Sequence, residues 1–325
     1  MGAHGKNQMK TYELQKTKND GLFRVVDREG NWRYYFHEGK KQYFRAVNYI
    51  IETGYPKGYF FYEWLKSKTK DEAEKILKTA GNRGSRVHDA ITRIFDTKDK
   101  FTRFDKVFND IEKRDIELTN DEWDALLSWQ EFMKRHEAKT ITYEYSIWNA
   151  KHRYAGTLDW IGILTKDCGV RTCKCTEYIG KIGLVDWKTS GGIYGSYNAQ
   201  TGSYVMAQNL KDVLGKTKID YSGVVRIGTN HKLTGGYEFK PFSKEETKRN
   251  FDLFIHALGI CEFETTPFNP DTEIIEIPDV VDYIPEFIDV NPVPDKKKLE
   301  DHKQQVVKKM SVKPIKKYVN NKTTK

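Results

Sequence analysis

The run IGLVDWK, Ile182–Lys188, begins as an apolar strand and ends in an aspartate, a tryptophan and a lysine. On a β-strand successive side chains change face, so Asp186 and Lys188 stand with Leu184 while Trp187 points to the other side. A carboxylate and an ammonium at the end of a strand with the apolar character of a sheet interior are costly unless they meet each other, a metal or a ligand. This stretch alone leaves two readings open, a strand-end ion pair at the surface and a functional site.

A second acid poses the same question. In YAGTLDWIGIL, Tyr154–Leu164, alternation puts Ala155, Thr157, Asp159, Ile161 and Ile163 on one face, with the acid among apolar neighbours. A hairpin between this strand and the one ending at Lys188 would bring Asp159 beside Asp186 and Lys188. Two carboxylates on adjacent strands form a hard oxygen site suited to Mg2+ or Mn2+.

The surrounding pattern is mixed α and β. From Asp71 the positions Ala73, Ile76, Leu77, Ala80, Gly84, Val87, Ile91 and Ile94 recur at helical spacing, predicting one amphipathic helix with a possible kink at Gly81 and His88 at the edge of its stripe. A second helix is expected in NDEWDALLSWQEFMKRH, with Asn120 as N-cap and Trp123, Leu126, Leu127 and Met133 facing inward. In the strand ITYEYSIW, Thr142, Glu144 and Ser146 share a face. After Lys188 a helix starts at Gly195 and Ser196, and it carries Gln200 and Tyr204 four residues apart on one side.

GSRVHDAI (Gly84–Ile91), YAGTLDW (Tyr154–Trp160), LVDWKTS (Leu184–Ser190) and QTGSY (Gln200–Tyr204) occur in the order of the RecB-like branch of the PD-(D/E)XK nucleases, which the chain resembles over about residues 43 to 260. The segment YFRAVNYIIETGYPKGYFFYEWLKSK is similar to the one preceding the histidine helix in phage exonucleases and in the mitochondrial genome maintenance exonuclease. Two departures stand out: Leu158-Asp159 replaces the usual Pro-Asp, and a long cysteine-bearing gap separates Asp159 from Asp186.

The resemblance implies an α/β fold with a restriction-endonuclease-like core, a central mixed β-sheet flanked by helices, plus an N-terminal helical segment. It also implies a metal-dependent DNA exonuclease acting at single-stranded ends in phage or host DNA recombination, repair or degradation. Asp159 and Asp186 would be the main ligands of Mg2+ or Mn2+, joined by the main-chain carbonyl of Trp187 and by His88, which admits a second ion. Lys188 would orient the attacking water, and Gln200 and Tyr204 would hold the scissile strand. An endonuclease or RNA-directed nuclease with the same site, and a non-catalytic nucleic-acid binder, are the alternatives. The binder is the weaker of these, because acids facing phosphate repel it.

Charge divides the 325 residues into distinct objects. Residues 262–295 hold ten acids, six of the nine prolines and no Lys or Arg; residues 296–325 hold eleven Lys against Glu300 and Asp301. The total of +9 therefore leaves +10 on residues 1–261. The expected organisation is an N-terminal segment (1–42), a nuclease-like domain (43–261), an extended acidic connector (262–295) and a basic tail (296–325) without fixed structure. The connector or the tail could also take a protein partner. No apolar run approaches a membrane span and no secretory apolar stretch follows the N-terminus, so a soluble intracellular chain is expected.

Five side chains are left without an assigned role. Glu144 is either a supporting acid at the site or a solvated one, and His152 reads as a loop histidine. Cys168, Cys173 and Cys175 read as loop cysteines: the paired C-x2-C spacing is missing, and a structural zinc would need a fourth ligand such as Cys261 or His152.

Overall fold

The computed structural model describes residues 12–265 apart from 20, 28–31, 172 and 230–233. The expectations for most of the acidic connector and all of the basic tail fall outside the described residues. In chain order, β1 (Tyr12–Lys16), β2 (Leu22–Asp27), β3 (Trp32–His37) and β4 (Gln42–Ala46) lead into α1 (Val47–Gly54), α2 (Tyr59–Lys66) and α3 (Lys70–Thr97). A small ribbon of β5 (Lys106–Asn109) and β6 (Arg114–Glu117) precedes α4 (Asn120–Arg135), β7 (Lys139–Asn149), β8 (Tyr154–Ile163) and β9 (Ile182–Lys188). The chain continues through α5 (Gly195–Val205), α6 (Lys211–Leu214), β10 (Tyr221–Arg226), β11 (Glu238–Phe242) and α7 (Lys244–Glu264).

Nine strands make one mixed sheet in the order β1-β2-β3-β4-β8-β9-β10-β11, with β7 also paired to β8. The β4–β8 and β9–β10 pairs are parallel and the others antiparallel. Helices cover both faces. Val87, Ala90 and Ile91 of α3 pack with Leu126, Trp129 and Phe132 of α4 over Trp160, Val185 and Trp187. On the other side Val47 and Ile50 of α1, Tyr204 of α5 and Phe254 and Leu258 of α7 cover Leu158, Ile161 and Leu184. The expected α/β architecture with a flanked mixed sheet is therefore present.

The start of the chain corrects the expectation of a helical N-terminal segment. Among the described residues, 12–46 hold four strands and one short 3-10 turn, Glu38–Lys40, and α-helix begins only at Val47. The runs LFRVV and RYYF are rich in aromatic and β-branched residues, which fit a pleated, half-buried surface, and Val25 and Tyr35 are buried in it.

Three helices open with complete capping boxes: Thr69 with Glu72, Thr119 with Glu122 and Ser243 with Glu246. The cap of α4 is thus Thr119 rather than Asn120, one residue earlier than expected, and Leu127 is exposed instead of inward. Helix α3 runs from Lys70 to Thr97 as one element through Gly81. Its apolar stripe is only half used: Ile76 and Leu77 are 45% and 47% exposed, because the first half overhangs the core that begins under Val87.

Arg86, one turn before Ala90, is fully buried, and each nitrogen of its guanidinium is hydrogen-bonded. It pairs with Glu122 at 3.0 Å and donates to the carbonyls of Val107 and Glu117, tying α3 to α4 and to the β5–β6 ribbon. A buried guanidinium is tolerable only when its donors are satisfied in this way.

Candidate metal centre at the strand split

Strand β8 is held on one edge by β7 along its whole length, from Asn149 opposite Tyr154 to Lys139 opposite Ile163. On its other edge β4 pairs with Tyr154 and Ala155, and β9 pairs with Trp160 to Ile163. Gly156–Asp159 lie between these two partners, where the sheet opens. Asp159 sits one step beyond the Trp160–Val185 pair, in register with Asp186. The expected juxtaposition of these strands is thus what forms. Asp159 Oδ2 accepts the backbone N–H of Trp187 at 2.7 Å, replacing the ladder bond lost where the strands part.

Alternation does not hold through this region as the sequence suggested. Leu158 and Ile161 pack on the α5 and α7 side and Trp160 on the α3 and α4 side, so the pleat breaks beside Asp159. Across from the break, between the Tyr143–Trp160 and Tyr145–Leu158 pairs, stands Glu144 with a φ of 44°. That left-handed conformation disfavours a non-glycine residue by about 1–2 kcal/mol.

Helix α3 delivers His88 over the split. Its Nδ1 lies 3.5 Å from Asp159 Oδ1 and its Nε2 3.0 Å from the Trp187 carbonyl oxygen. One ligand atom each from His88, Glu144 and Asp159 fall within 4.8 Å of one another. Beside them Lys188 Nζ meets Asp186 Oδ2 at 2.7 Å and lies 4.9 Å from the Tyr197 ring centre. Asp186 is buried and Lys188 half-buried, so the pair is an interior one and not the surface ion pair that remained open in the sequence.

The charges perturb one another strongly. Burial pushes Asp186 up to about 6 against the pull of Lys188, and burial together with Asp159 pushes Glu144 up to about 7. For His88 burial acts downward, but the Asp159 carboxylate, with help from Glu144, outweighs it and holds the imidazole at about 9. Burial likewise opposes ionisation of Asp159, yet His88, Lys188 and the Trp187 N–H keep it below the usual carboxylate range. The imidazolium is thus the cation among Asp159, Glu144 and the Trp187 carbonyl.

Gln200 and Tyr204 reach the region from α5, but both are buried. Gln200 Nε2 donates to the Tyr204 hydroxyl at 2.8 Å and to Asn48 Oδ1 at 3.2 Å, joining α5 to α1. The Tyr204 ring lies so close over Gly156 that a Cβ there would fall 2.8 Å from its Cε1. In this arrangement the pair braces the open stretch of β8 from inside.

The sequence reading left Glu144 undecided and missed Arg24, Asn48 and Tyr197. Arg24 comes from β2, donates to Thr157 Oγ1 at 3.2 Å and places its charge near Glu144 and Asp89. No local pattern marks it, because its relation to β8 exists only once β2, β3 and β4 have been added to the sheet. A cavity of about 340 Å³ between α5, α6 and β10 is not at these charges. Comparison with protein-family models and with curated proteins returns no match, so the centre is read from its own chemistry.

Proposed function

We propose that this protein is a metal-dependent nuclease with a RecB-like, restriction-endonuclease-like core, acting as a DNA exonuclease on single-stranded ends. The observation that carries the reading is the meeting of His88, Glu144, Asp159 and the Trp187 carbonyl at the strand split, with the Asp186–Lys188 pair beside them.

The donor set fits Mg2+ or Mn2+. It is dominated by carboxylate and carbonyl oxygen with a single imidazole, which suits hard cations. Asp159, Asp186 and the Trp187 carbonyl would hold one ion, and His88 with Glu144 a second. Bound there, the ions supply charge neutralisation at phosphate and a more acidic water. Lys188, kept cationic by Asp186 and Asp159 although burial acts against it, can donate to that water or to a phosphate oxygen. Asp159 bridges the parted strands through the Trp187 N–H, and Gln200 with Tyr204 holds Gly156 in place.

The single-strand preference draws support from α2. Tyr59, Phe60 and Tyr62 are 70%, 84% and 50% exposed on a helix flanked by Lys57, Lys66, Lys68 and Lys70, a composition suited to stacking bases beside a phosphate backbone.

The test is digestion of end-labelled and circular DNA and RNA with and without Mg2+ or Mn2+. Metal-dependent loss of end-labelled single-stranded DNA, with circles spared, supports the reading. Cutting of circles or of RNA would replace it with the endonuclease or ribonuclease alternative, and no cleavage with retained binding would leave a nucleic-acid binder.

A further inference from the structure

We propose that His136, Cys168, Cys173 and Cys175 form a structural zinc site that fastens the loop between β8 and β9 to the C-terminal end of α4. The proposal is independent of the nuclease reading. One ring nitrogen of His136 and the three sulfurs lie within 4.8 Å of one another. The Cys175 and Cys168 sulfurs are 3.4 Å apart, close to the spacing of about 3.8 Å that Zn–S bonds of about 2.3 Å give at a tetrahedral ion.

His136 was not anticipated from the sequence, which pointed to His152 or Cys261 as the fourth ligand. Neither takes part: His152 lies edge-on to Phe251 at 5.7 Å, and Cys261 is buried in α7 against α1. His136 follows the last turn of α4 and is wholly buried. Its Nδ1–H donates to the Phe132 carbonyl at 2.9 Å, which leaves the Nε2 lone pair as the free donor. That Nε2 is buried and has no hydrogen-bond partner, an arrangement that costs free energy unless a ligand takes it up.

The loop has reason to need a staple. Among the described residues between Leu164 and Ile182 it contains one short 3-10 turn, Lys174–Tyr178, and its buried side chains are Cys175 and Tyr178. So small an apolar contribution does not offset the ordering of such a stretch, and metal ligation is the usual substitute. The backbone is already positioned for it: the N–H groups of Thr165 and Lys166 both donate to the His136 carbonyl, at 2.9 and 3.0 Å. Thiolates with one imidazole select zinc over the hard cations proposed for the strand split, and four donors this close enclose one ion and not a multi-iron cluster.

The consequence reaches the strand split through one ring. Phe132 packs against His136 at 4.4 Å and edge-on against Trp187 at 5.6 Å, between the zinc site and the strand that carries Asp186 and Lys188.

The experiment measures metal content of the purified full-length chain by mass spectrometry, with release followed by a zinc-binding dye as an organomercurial titrates the thiols. One zinc per chain, released as three thiols react, is expected. Asp159→Asn should keep that zinc, and Cys168→Ser and Cys173→Ser, at the two half-buried positions, should lose it. Cobalt supplied in place of zinc should give the intense absorption of a tetrahedral thiolate complex. A folded wild-type chain with no zinc and freely reactive thiols, a Cys168–Cys175 disulfide, or zinc retained in both serine variants would overturn the proposal. The wild-type measurement decides even if a variant fails to fold.

Discussion

The Asp159 carboxylate accepts the backbone N–H of Trp187 at 2.7 Å while its other oxygen lies 3.5 Å from the His88 ring. One side chain therefore ends a strand pairing and balances a charge, and the two tasks are separable. Asp159→Asn keeps an oxygen for the Trp187 N–H but removes the charge. The variant should melt near the wild-type temperature, and the His88 pKa, read by NMR, should fall from about 9 toward its ordinary range. Cleavage should fall to background. Wild-type activity at saturating Mn2+ would exclude Asp159 as a ligand.

Asp186→Asn tests the neighbouring acid. Burial raises its pKa to about 6, so it is ionised at pH 7.5 at some cost to the fold, a cost the amide removes as it deprives Lys188 of its partner. The two effects oppose, and little net change in melting is expected. Cleavage should vanish, and metal-free DNA binding, followed by fluorescence anisotropy, should be unchanged or slightly tighter because a charge that repels phosphate is gone. Binding weakened tenfold or more would mean that Asp186 shapes the surface and does not serve the chemistry.

The imidazolium at His88 makes metal binding proton-linked. Its pKa of about 9 lies above the ordinary 6.5, so between these values the ion-free protein carries a proton that an unfolded chain would have lost. That proton stabilises the fold below about 6.5, and its contribution is lost as pH rises through 9. Asp159 and Glu144 favour the proton and Lys188 opposes it, while Arg24 acts on Glu144. A metal that takes the His88 nitrogen must displace it, so apparent affinity should rise with pH up to about 9. Calorimetry of Mn2+ binding near pH 8 in buffers of different ionisation heat should show close to one proton released per chain at saturation in the wild type and markedly less in His88→Ala. Equal release from both would show that His88 is not a ligand.

Much of this centre was legible because its parts are local. The apolar strand ending in Asp186 and Lys188, the acid at Asp159 and the i,i+4 pair Gln200 and Tyr204 each announce themselves by periodicity, and the hairpin argument placed the two strands together. What was not legible depends on the third dimension. Nothing in ITYEYSIW marks Glu144 as left-handed, since that conformation is imposed by the break in β8 across from it. Arg24 reaches the centre only through the added strands of the N-terminal segment, and His136 joins the cysteines from a helix whose pattern signals only core. The first half of α3 misled for the opposite reason: its stripe is periodic, but only Ala73 of it is buried, while Ile76 and Leu77 stay exposed.

Glu144 gives the sharpest separation of function from stability. A non-glycine residue held at a φ of 44° opposite Asp159 costs about 1–2 kcal/mol of backbone strain, and its carboxyl is further pushed up to about 7 by burial and by Asp159. A residue serving the fold alone would gain by becoming glycine, which adopts this conformation freely. Glu144→Gly should therefore melt at or slightly above the wild-type temperature in the absence of metal. Glu144→Gln, which keeps the strain and loses the charge, should melt close to wild type. If the carboxylate helps hold the second ion, both variants should lose most cleavage at limiting Mn2+ and recover part of it as Mn2+ is raised, whereas Asp186→Asn should recover none. Full activity in Glu144→Gly at limiting metal would show that the strained acid is a consequence of the strand split and no part of its chemistry.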